Sequence, residues 1–190
     1  MNISAPILEL YNVNISNILT LTQELSKDEW DFWNLRQKTF GVHANTKTYP
    51  LRWAEQINEN TYQIFLKNKK SIINQILLPE VSKLEKLYSG RCVNILFAKL
   101  LPHTIIHPHR DVSDLLLNIH RLHLPIITNE NVDFYIHNKK YNLKEGTLYE
   151  INNALAHSVE NNSSFDRVHL ILDILPYSKN INLEYIFDEH

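Results

Sequence analysis

The chain has 190 residues, 44% hydrophobic and 21% charged, with a formal net charge of −2. That length suits one domain, residues 1–190, large enough to bury a core, and the composition is that of an ordinary soluble protein. No basic block suggests nucleic acid or an anionic membrane. No apolar run could span a bilayer and the first residues lack a leader pattern, so a cytoplasmic protein is expected.

In chain order, residues 7–15 alternate and read as a first strand. From Asn14 to Phe40 the spacing becomes helical. Ser26-Lys-Asp-Glu29 forms a capping box, which starts a fresh helix, and Trp30 and Trp33 pack into the core. Gly41 is expected to end that helix. Residues 42–66 alternate again and break at Tyr49-Pro50, suggesting strands that lead into a sheet. The cationic run from Lys67 to Lys70 reads as a solvated helix start. Residues 71–88 then repeat apolar positions with helical spacing, interrupted or restarted at Pro79 and closed by Gly90.

After Gly90 the period is that of strands, at about 91–101, 104–109, 119–127, 132–137, 147–152, 157–161 and 167–175. Turns separate them at Asn129-Glu-Asn131, Asn138-Lys-Lys140, Gly146 and Asn161-Asn-Ser-Ser164. Short strands in series indicate a sandwich or barrel, and helices placed before them indicate an α+β, mainly β, fold with helices backing one sheet. The boundaries are a helical part with leading strands (1–90), a strand core (91–176) and a C-terminal tail (177–190). The one cysteine, Cys92, rules out an internal disulfide and reads as a buried structural thiol.

Eight of the ten histidines fall between His103 and His169. The central motif is His109-Arg-Asp111. On an extended segment, residues i and i+2 share a face, so His109 and Asp111 can grip one ion from one side. Two imidazoles and a carboxylate on one octahedral face suit non-heme Fe(II), and His157 is the best third ligand. Alternation puts Arg121 with His123, and Arg167 with His169, on shared strand faces. Cations on core-facing positions require anionic partners. A bound dicarboxylate is one such partner, and for Arg167 an ion pair with Asp173 is another. His103 and His107 read as loop or supporting residues, His120 and His137 as solvent-facing, and His190 has no evident role.

These motifs come in a characteristic order: His109-Arg-Asp111, Arg121-Leu-His-Leu-Pro-Ile126 with Thr128-Asn129, Glu145-Gly146, Asn152-Asn153 with His157-Ser-Val159 and Asn161, and Arg167-Val-His-Leu170 with Asp173. The series resembles the aspartyl/asparaginyl β-hydroxylase family of Fe(II)- and 2-oxoglutarate-dependent dioxygenases. The resemblance is strong over residues 90–176 and looser before, where Val42-His43 with Thr46 and Leu51-Arg52 are similar to the family's mouth segment. It implies a double-stranded β-helix (jelly-roll, cupin-like) core backed by the N-terminal helices. It further implies Fe(II) on His109, Asp111 and His157, with 2-oxoglutarate and O2 as cosubstrates. Oxidative decarboxylation to succinate and CO2 would be coupled to hydroxylation of an unactivated C–H.

By the same resemblance, Arg167 takes the far carboxylate of 2-oxoglutarate in a two-bond fork, while Arg121 and His123 take its near carboxylate or a substrate acid group. His43 and Arg52 become candidate substrate contacts at the mouth. Ala98 stands near where the family often has a hydroxyl residue assisting Arg167. Asp111 stands where animal members have glycine, so the chain is similar to bacterial members, some of which hydroxylate free or modified amino acids. Asp111 also argues against halogenation. The expected substrate is an amino acid, a small metabolite or a short peptide carrying an Asp/Asn-type residue. The alternative is a cupin-like metal- or ligand-binding protein without oxygenase activity, since one fold hosts both.

Overall fold

The computed structural model describes residues 3–39, 41–66 and 72–187. Phe40, the cationic run at 67–70 and His190 lie outside the described residues. The N-terminal part comprises β1 (Ile7–Asn12), α1 (Ser16–Glu24), α2 (Lys27–Asp31), α3 (Leu35–Thr39), a 3-10 turn (Gly41–His43), β2 (Thr46–Asn58), β3 (Thr61–Leu66) and α4 (Ile72–Leu87). There follow β4 (Gly90–Leu100), β5 (Thr104–His109), a short helix α5 (Asp114–Leu117), β6 (His120–Ile127), β7 (Val132–Ile136), β8 (Lys139–Tyr141), β9 (Thr147–Ile151), β10 (His157–Asn161), β11 (Arg167–Pro176) and β12 (Asn182–Phe187).

The strands form two sheets. Eight run in the order β1-β9-β6-β11-β4-β2-β3-β12, and four in the order β5-β10-β7-β8. This is the jelly-roll arrangement, mainly β with helices on one side. Along β6 and β11 successive side chains face opposite ways. Leu122, Leu124, Ile126, Val168, Leu170, Leu172 and Ile174 meet Ile18, Trp30, Leu77, Val81 and Leu84 of the helices in one core. Phe134, Ile136, Val159, Ile106 and Ile151 fill the space between the sheets. The intervening positions, Arg121, His123, Arg167, His169 and Asp173, also face inward and are all buried.

Several local expectations are corrected. The capping box forms, with Ser26 Oγ accepting from the Glu29 N–H, but the first strand ends at Asn12. Helix α4 runs unbroken through Pro79, because Leu77, Val81 and Leu84 anchor it on the sheet on both sides of the missing N–H. It is Ser89 (φ 46) and not Gly90 that makes the left-handed exit from α4. Gly90 starts β4, where an added Cβ would lie 2.5 Å from the Leu175 carbonyl oxygen. The turn placed at Asn138–Lys140 falls one residue earlier. His137 and Asn138 both take positive φ, as the two central residues of a tight hairpin require, and Lys139 already belongs to β8. The presumed C-terminal tail supplies β12, which pairs in parallel with β3.

Candidate active site

Two antiparallel strands of the smaller sheet set His109 directly opposite His157. Their ring centroids are 4.3 Å apart. Asp111 follows β5 on a loop whose position is fixed from both sides. Its N–H donates to the Asn153 carbonyl at 3.0 Å, and the Asn153 amide donates to the Leu116 carbonyl at 2.8 Å. Carboxylate oxygens of Asp111 lie 3.9 Å from His109 Nε2 and 3.7 Å from His157 Nε2. One ligand atom from each of the three residues falls within 4.8 Å of the others.

The donor chemistry fits a metal ion. His109 Nδ1 is 2.8 Å from the His107 carbonyl and His157 Nδ1 is 2.9 Å from the Leu155 carbonyl. A carbonyl only accepts, so each Nδ1 carries the proton and each Nε2 presents a lone pair toward Asp111. That is the arrangement in which metal-bound histidines are held. Burial is the main reason His157 titrates below its ordinary value, and this favours the neutral, ligating form.

Arg121 does not behave as expected. Asp173 and Arg121 are cross-strand partners on β11 and β6, and Asp173 faces Asn94 across β4. Arg121 Nε and Nη2 each donate to Asp173 at 2.8 Å, its Nη1 donates to Asp111, and the Asn94 amide donates to Asp173 at 2.8 Å. The Arg167–Asp173 pair, the alternative to a cosubstrate role for Arg167, does not form, and Asp173 pairs with Arg121. Six residues of strand separate Arg167 from Asp173, roughly 20 Å, whereas Arg121 lies directly alongside. Arg121 therefore bridges two carboxylates, and its charge belongs to the protein's own ledger.

Arg167 lies deeper, with its Nη2 2.6 Å from His169 Nδ1. His169 Nδ1 accepts from the guanidinium, and the His123 Nδ1 lies 3.2 Å from that same atom. Desolvation first, and the Arg167 charge next, hold both imidazoles well below their ordinary range. Arg167, His123, Thr46, Ala98 and Phe134 line a narrow slot of about 30 Å³. Outside it a second chamber of about 610 Å³ is walled by Trp53, Tyr62, Leu96, Leu115 and others. His43, His109, Asp111, Arg121 and Ile171 line both, so two of the candidate ligands sit where slot and chamber meet and the third, His157, lines the slot.

The chain belongs to the aspartyl/asparaginyl β-hydroxylase family. Residues 14–176 match that family, while no curated protein sequence matches the chain. Among solved structures, a prolyl-4-hydroxylase from Pseudomonas putida superposes with a TM-score of 0.58 at 10% identity, covering 91% of this chain and 94% of its own. HygX from Streptomyces hygroscopicus, solved with nickel and 2-oxoglutarate bound, gives 0.57 at 11% identity, covering 92% and 84%. A 2OG-Fe(II) oxygenase family oxidoreductase from Burkholderia pseudomallei gives 0.55 at 12%, covering 89% and 92%. At these identities the likeness is one of fold.

The remaining expected residues divide. His43 is buried at the junction, its ring edge-on to His109 at 5.2 Å. Arg52 is not brought to the site. The β2–β4 register slips between Pro50 and Arg52, and Arg52 turns toward α4, donating to the Cys92 carbonyl at 2.5 Å with Glu85 4.0 Å away. His120 is not solvent-facing, since its Nδ1 lies 2.6 Å from Glu150 and its ring packs on Tyr88. Sequence reasoning missed Asp173 and Asn94 as anchors of Arg121, and Trp53, Tyr62 and Arg110 as chamber walls. Only strand register could have found them. Among the described residues no helix is long and apolar enough to cross a membrane.

Proposed function

We propose that the protein is an Fe(II)- and 2-oxoglutarate-dependent dioxygenase that hydroxylates an unactivated C–H of an amino acid or of a residue in a short peptide. The observation that carries this is the pair of imidazoles with carbonyl-locked Nδ1 protons, their Nε2 atoms converging on Asp111 between a cationic slot and a larger chamber. His109, Asp111 and His157 would hold the iron. When bound, iron with 2-oxoglutarate and O2 supplies the oxidation, placing one oxygen atom in the substrate and the other in succinate as CO2 leaves.

The protein's own residues contribute position and exclusion. Arg167, fully buried at the inner end, offers a planar fork to the far carboxylate of 2-oxoglutarate. Thr46 lines the slot along with Ala98, but its hydroxyl is engaged within the protein, donating to the His43 carbonyl at 2.7 Å and accepting from Gln37. Because the slot is narrow, a five-carbon dicarboxylate fits only if its lining side chains shift. Phe134 and Val159 keep water away from the inner side of His157. Arg121, neutralised by Asp111 and Asp173, orients the ligating carboxylate, and His123 remains the group that faces the near end of the cosubstrate.

The test is the visible spectrum of anaerobic protein with Fe(II), before and after 2-oxoglutarate. A weak charge-transfer band that needs both additions and disappears in Asp111→Ala is expected. Folded, iron-saturated protein with no such band would contradict the proposal and leave a cupin-like binding protein.

A further inference from the structure

The outer chamber has a chemistry of its own. Its volume of about 610 Å³ lies within the roughly 300–1,000 Å³ of pockets that enclose drug-sized ligands, and a lone small amino acid would leave most of its wall uncovered. Ala54, Tyr62, Leu96, Leu115 and Ile171 are buried wall residues. Trp53 lies over Leu96, Ala98 and Ile171 and is braced by Trp33 at 4.8 Å. At the rim Val112 is 61% exposed, an apolar side chain that a ligand would cover.

The charges are asymmetric. Asp111 is the one carboxylate in the described wall, and it is engaged by Arg121. Asp114 acts on the Tyr62 hydroxyl but does not line the chamber. An ammonium group entering here would lose its water and find no carboxylate among the described wall residues that is not already engaged. Of the two wall arginines, Arg121 bridges Asp111 and Asp173. Arg110 is exposed at the rim and forms no ion pair among the described residues. Among the described wall residues, apolar side chains, the Arg110 guanidinium and the lack of a carboxylate beyond the engaged Asp111 define the complementary ligand.

We propose that the chamber binds an N-acylated, largely apolar carboxylate, its acid group held at the rim by Arg110 and its apolar body lying along Trp53, Tyr62 and Leu115. This narrows the substrate of the oxygenase reading and rests on that reading for the reaction, though not for binding. It sets aside the free amino acids that the family resemblance brings to mind, whose ammonium group is unmet here.

Three matched probes test it by quenching of tryptophan fluorescence, in protein loaded with Ni(II) and 2-oxoglutarate and in metal-free protein. They are N-benzoyl-L-phenylalanine, its C-terminal amide, and L-phenylalanine. The acylated acid is expected to bind at least about tenfold more tightly than the free amino acid and about fivefold more tightly than the amide. The acid-over-amide advantage should vanish in Arg110→Gln and persist in Arg110→Lys. Equal or tighter binding of L-phenylalanine, equal binding of the amide, an unchanged preference in Arg110→Gln, or no saturable binding of the acylated acid would each overturn the proposal. Probe binding in metal-free protein requires no oxygenase chemistry. Failure of the charge-transfer band with retained probe selectivity would thus sink the oxygenase reading alone, and the reverse pattern would sink only the ligand assignment.

Discussion

Arg121 shows how far one side chain's role depends on its neighbours. A guanidinium buried among strands is tolerable only when its charge is met, and here two carboxylates meet it, one of them held in turn by the Asn94 amide. Its partners follow from register: Arg121, Asp173 and Asn94 lie in line across β6, β11 and β4. Asp173→Ala should therefore cost about 3–5 kcal/mol of stability in urea unfolding, because it leaves a buried cation with one carboxylate where it had two and removes the paired hydrogen bonds from its Nε and Nη2. It should also weaken metal binding by freeing Arg121 to pull on Asp111, whereas Asp173→Asn should do less of both. A metal affinity unchanged in Asp173→Ala would remove the orienting role. Arg167 is tested differently. Arg167→Ala should raise the 2-oxoglutarate requirement by about 10- to 100-fold, from the loss of charge-assisted hydrogen bonds, and Arg167→Lys should fall between, as measured by titrating the charge-transfer band. His109→Ala and His157→Ala should each lose the band while remaining folded by circular dichroism.

Elements were easier to find than their partners. Every strand expected after residue 90 is present, with limits within one residue, because each is a short apolar run between turn residues. His109, Asp111 and His157 do come together and His109 faces His157, but β5 ends at His109 and Asp111 reaches the group from a loop, not from the shared strand face that the i, i+2 rule assumes. What the sequence hid was register. The slip near Leu51 sends Arg52 to the helix side, and no property of Leu51-Arg52 itself announces a bulge. In the same way the helix exit fell on Ser89 despite the glycine beside it, because Gly90 is needed for close approach of β4 to Leu175. Gly90→Ala should consequently destabilise the fold by about 1–3 kcal/mol through backbone overlap that no rotamer can relieve. A midpoint of chemical denaturation equal to that of the natural chain would show that β11 yields there.

At the scale of the whole molecule, the two faces of the large sheet carry opposite duties. The outer face is packed by α1, α2 and α4 and gives stability. The inner face is polar at one end and holds His123 and His169, which with His157 on the facing small sheet are three histidines whose protonation is suppressed. In the unfolded chain each would titrate near 6.5. As pH falls through that value, the unfolded state takes up protons that the folded state refuses, so folding stability must fall. The stability is fully present above about pH 6.5 and is lost below it, down to the lowered folded values. Each such histidine contributes a slope of up to about 1.4 kcal/mol per pH unit in this window. Metal-free protein should accordingly show a melting temperature that is flat from pH 8 to 7 and drops from 6.5 to 5 in calorimetry. The drop should be shallower in His169→Gln, which removes one suppressed proton site remote from the ligands. A melting temperature independent of pH across that range would mean that the buried imidazoles accept protons in place, with water or moving side chains admitted to the inner slot. The rigid, water-excluding interior on which the proposed chemistry depends would then be wrong.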